Sequence, residues 1–238
     1  MTDKTGYRPL YQQVRDLFQT RIADGTWQAG GKLPSEQALA RELDVSHGTV
    51  RKALDELAAQ KLVERRQGTG TFVRAVTPER SVFQFLYYTR PGGDRLMPEV
   101  VDVRTCEDTA NPLDRRQLRL AEGARVVRID RLRGFEGAAT LIERMVLPLE
   151  RFPGLAGRHL PNALYAMYHS DYRVLVSVVT EELRAVAAET GDAALLGVSP
   201  ATPLLAIDRI AYDLDGIAVE WRQTLCLTRD VVYSVTQR

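Results

Sequence analysis

The segment 33–73 constrains the fold most, because two short helix signals in it are followed directly by a hairpin signal. Ser35 and Ser46 each stand just before an apolar pattern with helical spacing, a position where a serine side chain caps a helix. Two short runs of strand-forming residues then flank residues 67–70, which contain two glycines suited to a tight turn. This order predicts a helix-turn-helix with a β-hairpin wing; for the helices alone, a plain three-helix bundle is the alternative.

A further amphipathic helix is predicted before this segment, between Pro9 and Gly25, which suit its first position and its C-terminal cap. The net charge of +1 divides unevenly near residue 77. Residues 1–77 carry 12 basic and 9 acidic side chains, whereas residues 78–238 carry 20 and 22. A mildly basic first segment is compatible with nucleic-acid binding, although an excess of three charges is weak evidence alone.

The motifs of this first segment occur in every predicted element. They are Leu33-Pro34-Ser35-Glu36, Leu39-Ala40, Val45-Ser46-x-x-Thr49-Val50-Arg51-x-Ala53-Leu54, Leu57 and Arg65-Arg66-Gln67-Gly68-x-Gly70-Thr71-Phe72-Val73. Together they resemble the winged helix-turn-helix of the GntR family of bacterial transcription regulators over about residues 8–73. The resemblance implies that residues 1–73 form a DNA-binding domain with double-stranded DNA as its partner.

The resemblance also indicates which side chains contact DNA. Arg51 matches the arginine of the family's Thr-Val-Arg motif, for which a solvated helix face is the alternative. The remaining candidates are Ser35, Gln37, Ser46, His47, Thr49, Lys52, Arg66 and Gly68. Ser35 and Ser46 would also cap helices in any fold, so their presence alone does not indicate DNA contact.

Two candidates depart from the family pattern. Many relatives carry arginine where this sequence has Gln37 and His47. Glutamine favours adenine where arginine favours guanine, and a neutral histidine offers one donor and one acceptor instead of a bidentate fork. The family's base code therefore does not transfer directly to this chain.

The order of predicted strands, turns and helices in the second part of the chain indicates an α+β domain with a mostly antiparallel sheet. Residues 74–79 are short and polar and are predicted to form a linker. Strands are predicted at 82–88, 99–104, 124–135, 140–147, 172–184, 203–212 and 218–227, and helices at 111–118, 162–168 and 192–196. Turn signals at Glu136-Gly137 and Asp215-Gly216 separate adjacent strands, which must then be antiparallel.

This part resembles the effector-binding domain of the HutC-type branch of the GntR family. The motifs are Ile142-Glu143-x-x-x-Leu147-Pro148, Phe152-Pro153-Gly154-Leu155, Leu164-Tyr165, Leu195-Leu196-Gly197-Val198-x-Pro200-x-x-Pro203-Leu204-Leu205, Asp213-x-Asp215-Gly216 and Val219-Glu220. The resemblance implies a chorismate-lyase-like fold, with a six-stranded antiparallel sheet, over residues 80–238. It also implies that this domain binds an effector and forms a homodimer.

The resemblance places an effector site at Arg131, Arg133, Glu143, Tyr165 and Glu220. Arg131 and Arg133 share one face of a strand because side chains alternate, and two cations there suit an anionic ligand such as a sugar phosphate or a carboxylate. The alternative is that these charges form cross-strand ion pairs on a solvated sheet face. The sequence at 87–93 departs from relatives, so phosphate contacts in that region do not transfer.

Signatures of catalysis are absent from the sequence. It contains no GxSxG, Walker A or HExxH motif, and His47, His159 and His169 show no metal-ligand spacing with Cys106 and Cys226. We therefore expect no metal and no cofactor, and we expect both cysteines to be small buried hydrophobic residues. The apolar runs are far shorter than the roughly 18 residues of a membrane span, so no membrane partner and a cytoplasmic location are expected.

The sequence as a whole predicts a repressor that binds an inverted-repeat operator as a dimer and is released or repositioned by a small anionic metabolite. Two alternatives remain open. One is an architectural DNA-binding protein without ligand control, in which the effector-site residues would pair with one another and leave no cavity. The other is an enzyme that uses the lyase-like fold of the second domain.

Overall fold

The computed structural model describes residues 8–23, 25–60, 62–74, 88–93 and 95–235. The chain divides into two compact units, Met1–Thr77 and Pro78–Arg238. Of the predicted linker at 74–79, only Arg74 lies within the described residues. The predicted domain limits at 73 and 80 therefore stay predictions.

The first unit is a three-helix cluster followed by a two-stranded antiparallel hairpin. Its elements are α1 (Leu10–Ala23), α2 (Glu36–Glu42), α3 (His47–Ala59), β1 (Val63–Arg66) and β2 (Gly70–Val73). Both predicted N-caps are confirmed, because Ser35 Oγ accepts from the Ala38 backbone N–H and Ser46 Oγ accepts from that of Thr49, each at 3.1 Å. The core of the unit is formed by fully buried Phe18, Leu39, Val50, Ala53, Leu54 and Leu57.

The hairpin confirms the predicted wing. Its turn places Gly68 at a φ of 70° and Gly70 at 122°, and the second value is a conformation that other residues rarely adopt. A Cβ on Gly70 would lie 2.9 Å from Lys32 Cε, but this flexible side chain can move aside, so the backbone conformation is what favours glycine there. An isolated bridge between Lys32 and Phe72 attaches the preceding loop to the outer side of β2.

The second unit is built on one six-stranded antiparallel sheet with the order β4-β5-β6-β9-β8-β7. Its elements are β3 (Tyr88–Thr89), β4 (Glu99–Thr109), α4 (Pro112–Leu118), β5 (Arg125–Phe135), β6 (Ala138–Pro148), α5 (Leu164–Tyr172), β7 (Val178–Ala187), α6 (Thr190–Leu196), β8 (Pro203–Tyr212), β9 (Ala218–Cys226) and β10 (Val232–Tyr233). The short strands β3 and β10 pair with each other outside the main sheet. The predicted α+β class with an antiparallel sheet is confirmed.

Helices cover both faces of this sheet. Leu164, Tyr165 and Tyr168 of α5 pack against Val127 and Ile129 of β5, and we call this side of the sheet the α5 face. The neighbouring strand residues point the other way, as alternation requires. On this opposite face of the sheet, α4 packs against Val126, Val146 and Trp221, and α6 packs against Ile142 and Leu204. The α5 face therefore lies under an apolar cover.

The predicted strand at 172–184 is wrong in its first part. Helix α5 continues to Tyr172 and ends at Arg173, which adopts a left-handed conformation with a φ of 57°. The apolar run Val174-Leu175-Val176 is buried but forms no ladder, and β7 begins only at Val178. A buried connecting segment has the same apolar composition as a strand, so the run could not be assigned from the sequence.

Three other expectations differ in extent or outcome. The predicted strand at 82–88 lies outside the described residues except for Tyr88. The predicted strand at 99–104 extends to Thr109. Cys106 lies on this strand and is exposed, contrary to prediction, because β4 is an edge strand with most of its side chains in solvent; Cys226 is buried as expected.

Candidate functional site

The predicted DNA-binding residues of the first unit are accessible to solvent. Thr49 is partly exposed, and the other candidates are exposed: Ser35, Gln37, Ser46, His47, Arg51, Lys52, Arg66 and Gly68. They come from the start of α2, from the first half of α3 and from the wing. The structure thus presents them to solvent in the three elements that a winged helix-turn-helix uses against DNA.

The hydroxyl groups among these residues already have local partners. Ser35 and Ser46 cap α2 and α3, and Ser46 Oγ also lies 2.8 Å from Thr49 Oγ1. These contacts order the N-terminus of α3, whose backbone N–H groups and positive dipole end favour a phosphate. The hydroxyl oxygens of Ser46 and Thr49 thereby fix the backbone at the N-terminus of α3, the end of a recognition helix that enters the major groove.

The basic candidates differ in how strongly the protein holds them. Lys52 Nζ lies 3.8 Å from the centre of the Tyr11 ring, and the guanidinium of Arg66 stacks 4.2 Å from that of Phe72. Arg66 Nε also donates to Glu64 at 2.8 Å. Among the described residues, the Arg51 side chain has no hydrogen bond or ion pair, which leaves all its donors available.

An ionic network near the start of α3 was missed by sequence reasoning. Glu36, the first residue of α2, lies 3.0 Å from His47 Nε2 through one carboxylate oxygen and 3.0 Å from Arg65 through the other. Arg65 also lies 2.9 Å from Asp55 of α3. The network joins α2, α3 and β1, so no periodicity within one element could have indicated it.

The second unit brings all five predicted effector-site residues together on the α5 face. Arg131 and Arg133 lie on β5, Glu143 on β6, Glu220 on β9 and Tyr165 on α5, and all are buried. The pairing register places Glu143 directly opposite Arg131. Alternation along the strands and strand order bring the four charged residues together, and the packing of α5 on the sheet adds Tyr165.

Glu143 is at the centre of the cluster because three guanidinium groups converge on it. Arg131 donates to Oε2 at 2.6 and 2.9 Å, and Arg133 and Arg222 donate to Oε1 at 3.1 and 3.2 Å. Burial would raise the pKa of the Glu143 carboxyl, but attraction to the three arginines outweighs burial and holds this pKa well below its usual range. Glu143 is therefore ionised at neutral pH despite being fully enclosed.

Glu220 forms the second acidic centre. Arg222 donates to both of its oxygens at 2.9 Å, and the hydroxyls of Tyr165 and Tyr168 donate to them at 3.0 and 2.7 Å. Burial, together with the nearby Glu220 charge, raises the pKa of Tyr165 to about 12, so this tyrosine remains a hydrogen-bond donor. The carboxylate has four donors, which compensates its removal from water.

Arg133 is the least satisfied member of the cluster. Its terminal nitrogens donate to Pro98 O at 2.8 Å, to Asn162 Oδ1 at 2.6 Å and to Glu143, but its Nε is buried without a partner among the described residues. Burial, together with repulsion from Arg131 and Arg222, lowers the pKa of Arg133 to about 10. The folded protein thus holds this positive charge against a substantial electrostatic cost.

Two aspects of this site differ from the sequence analysis. The cross-strand pairs exist, but the alternative of a solvated sheet face is wrong, because the side chains of Arg131 and Glu143 are only 1% and 3% exposed under the α5 cover. Arg222 and Tyr168 were missed. Both had a signal, since Arg222 follows Glu220 by two residues on a strand and Tyr168 follows Tyr165 by three on a helix.

The described cavities do not contain the centre of the cluster. A cavity of about 700 Å³ lies at the end of the sheet, beside Phe135, Thr140, Val198 and Arg229, and none of the five predicted effector-site residues lines it. A smaller one of about 180 Å³ includes Arg131. Since charge and unsatisfied donors mark a binding site more specifically than volume does, we place the candidate effector site at the cluster.

The described residues contain no cluster of side chains suited to a metal ion, since no group of three or more His, Cys, Asp or Glu side chains among them is arranged to hold one. None of their helices combines the length and the apolar character required to cross a bilayer. Among residues 88–93, Arg90 donates to Glu136 at 2.6 Å at the protein surface.

Comparison with known proteins identifies the family of each unit. The family model of gntR bacterial regulatory proteins matches residues 10–73, and the UTRA domain model matches residues 98–231. The chain is 28% identical to the mannosyl-D-glycerate transport/metabolism system repressor MngR of Escherichia coli K12, over 97% of this chain and 96% of that one.

A second relative is similar to this chain in both its sequence and its crystal structure. The transcriptional repressor PhnF of Mycolicibacterium smegmatis is 30% identical over 94% of this chain and 91% of its own length. The crystal structure of PhnF from Mycobacterium smegmatis superposes with a TM-score of 0.54 at 27% identity, covering 94% of this chain and 99% of that one. The similarity extends through both units.

Proposed function

The chain belongs to the GntR family of DNA-binding transcription regulators and carries a UTRA effector domain, and from this premise we propose that a small anionic metabolite controls its binding to an inverted-repeat operator. The regulator acts as a repressor, in line with its named relatives. It works in the cytoplasm, where both the operator and the metabolite are present, and it performs no catalysis.

The observation that carries this proposal is the charge balance of the buried cluster. Three arginines, Arg131, Arg133 and Arg222, face two carboxylates, Glu143 and Glu220, which leaves one positive charge in excess. The adjacent Arg209–Glu181 pair is neutral in sum and does not change this balance. A buried charge without a counter-ion is costly, so an anionic ligand would be strongly favoured at this place.

The ligand would bind beside Arg133, the arginine with an unused donor. Pro98 and Asn162 now cover this guanidinium, so an anion must displace them to make direct contact. A phosphate or carboxylate group suits the planar guanidinium fork, and the rest of the ligand would extend along the strands toward Tyr165 and Glu220. Movement of the covering segments provides a physical link between binding and a change elsewhere in the dimer.

Addition of inorganic phosphate to the full-length protein is expected to raise the stability of the second unit. At a concentration about a hundred times its dissociation constant, a ligand adds about 2.7 kcal/mol to the free energy of unfolding. Urea unfolding followed by the fluorescence of Trp221, in a Trp27→Phe background, reports on the second unit alone. Sugar phosphates and dicarboxylates are compared with chloride at equal ionic strength, and a response no larger than that to chloride for every anion contradicts the proposal.

A ligand-independent architectural DNA binder is the second candidate, and one observation favours it. The predicted effector-site residues already pair with one another, as Arg131 does with Glu143 and Tyr165 with Glu220. The same phosphate titration distinguishes the effector-controlled regulator from the architectural protein, because an architectural protein with a closed cluster is not expected to bind phosphate there.

The DNA contacts are assigned to the exposed candidates of the first unit. We assign base and phosphate contacts in the major groove to Gln37, His47, Thr49, Arg51 and Lys52, backbone contacts to Ser35 and Ser46, and wing contacts to Arg66 and Gly68. A two-fold dimer presents two α3 helices about 34 Å apart, one turn of DNA. The exposed edge strand β7, with Val178 and Leu183 half exposed, offers a surface on which a second copy can pair.

Arg51→Ala is expected to weaken operator binding by a factor of about ten to a hundred, because one well-placed arginine contact contributes about 1–3 kcal/mol. Its free guanidinium makes this loss independent of folding. Fluorescence anisotropy with a selected operator measures the affinity. Arg116→Ala, which removes an equal charge from an exposed position of the second unit, is the control and should leave the affinity within about twofold.

A further inference from the structure

The contact between Glu36 and His47 bears on how the protein reads bases. His47 is the first residue of α3, and its side chain is 50% exposed. Its Nε2 lies 3.0 Å from a carboxylate oxygen of Glu36, whereas its Nδ1 has no partner among the described residues. One ring nitrogen is therefore used within the protein, and the other is available at the end of the helix that enters the major groove.

The chemistry of the carboxylate decides which nitrogen carries the proton. An ionised carboxylate is negatively charged and only accepts hydrogen bonds, so at 3.0 Å from Nε2 it repels a lone pair on this nitrogen. A proton on Nε2 removes this repulsion. In a neutral imidazole the second nitrogen then has no proton, so Nδ1 of His47 is an acceptor.

Glu36 is well placed to impose this tautomer. Its other oxygen lies 3.0 Å from Arg65, which in turn contacts Asp55 of α3. These contacts hold the carboxylate between α2, α3 and the wing, and its side chain is only 22% exposed. The carboxylate is thus fixed before DNA binds, and so is the acceptor character of Nδ1.

We propose that Glu36 fixes the tautomer of His47 and thereby makes His47 a reader of an exocyclic amino group in the major groove. Adenine N6 and cytosine N4 are the two groups that can donate to Nδ1, whereas guanine presents only acceptors at N7 and O6. His47 therefore selects adenine or cytosine and rejects guanine at one position of each half-site. This inference rests on the proposed DNA-binding role, with Glu36 as the positioning residue.

The test measures base preference separately from affinity. Selection from a randomised operator pool at about pH 8, where histidine side chains are ordinarily neutral, identifies the preferred site. Anisotropy then gives the affinity for all four bases at the position that His47 contacts. We expect the full-length wild type to bind adenine or cytosine about tenfold more tightly than guanine.

Two variants of Glu36 then test the tautomer. Glu36→Gln offers both a donor and an acceptor to His47, and Glu36→Ala offers neither, so both variants should reduce the tenfold discrimination to roughly twofold. Both variants also remove the negative charge of Glu36, which raises the affinity for every operator by the same factor. This general effect does not by itself change the ratio between the affinities for the preferred base and for guanine. Glu42→Gln is the matched control, because Glu42 lies on the same helix and pairs with Arg21 instead; its discrimination should equal that of the wild type.

Base analogues provide an independent readout. Replacing the preferred base by its analogue without the exocyclic amino group should weaken binding about as much as His47→Ala does, and should have no further effect in that variant. A wild-type preference for guanine, or a preference that survives both Glu36 variants, overturns the inference while operator binding itself remains. Failure to select any operator would instead contradict the proposed function.

Discussion

Replacing Glu143 by glutamine is expected to lower the free energy of unfolding of the second unit by about 3–5 kcal/mol, the usual cost of removing one partner from a buried ionic cluster. Three guanidinium groups donate to this carboxylate, and all of them are buried. The amide keeps the shape of the side chain but leaves the three positive charges with a single carboxylate, Glu220. Repulsion among Arg131, Arg133 and Arg222 is then no longer offset.

The measurement is urea unfolding of the full-length protein, followed through Trp221 in the Trp27→Phe background. Glu136→Gln serves as the control, since Glu136 is an acidic residue at the turn that joins β5 to β6 and its pair with Arg90 is exposed. An exposed ion pair contributes little, so this change should stay within about 0.5 kcal/mol. Equal effects of the two substitutions would mean that Glu143 does not hold the cluster together.

The positions of the cluster residues along the strands could be predicted from the sequence, because alternation is a local property. The spacing of Arg131 and Arg133 places them on one face, and the turn signal Glu136-Gly137 pairs β5 with β6 in the observed register. The burial of these residues could not be predicted. It depends on which face α5 covers, and that is decided by packing between elements distant in the sequence.

The same distinction holds for the first unit. The caps Ser35 and Ser46 and the glycines of the wing follow from local chemistry, and the sequence predicted all of them. The contact of Glu36 with His47 and Arg65 joins three elements, so only the folded chain reveals it. Sequence analysis therefore identified which residues have functional chemistry, whereas the structure identified how those residues constrain one another.

Replacing Arg133 by methionine is expected to have the opposite effect on stability from the Glu143 substitution, although the two residues are in contact. Folding lowers the pKa of Arg133 from its ordinary value to about 10, mainly because the guanidinium is buried. A lowered pKa means that the charged form of Arg133 is less stable in the folded protein than in water, which is a cost to the free energy of unfolding. The cost is present at every pH below about 10 and is relieved only as pH rises above that value, so it applies in full at neutral pH.

Methionine removes this cost along with the hydrogen bonds that Arg133 makes, each of which contributes about 1 kcal/mol. Pro98 O keeps a donor, because Asn162 Nδ2 lies 3.0 Å from it. The remaining charges are two arginines and two carboxylates, so the cluster becomes neutral. We expect the free energy of unfolding to stay constant or to rise by up to about 2 kcal/mol.

The same substitution should abolish the stabilisation by phosphate, because the excess charge that attracts the anion is gone. Arg144→Met is the matched control: Arg144 lies on the adjacent strand, is 45% exposed and pairs with Asp192, so the phosphate response should persist when it is replaced. Loss of stability together with loss of phosphate binding in Arg133→Met would indicate that Arg133 is a structural member of the cluster. Retained or increased stability with no phosphate response would mean that the protein maintains a destabilising buried charge for the ligand, which is the relation expected of an effector site.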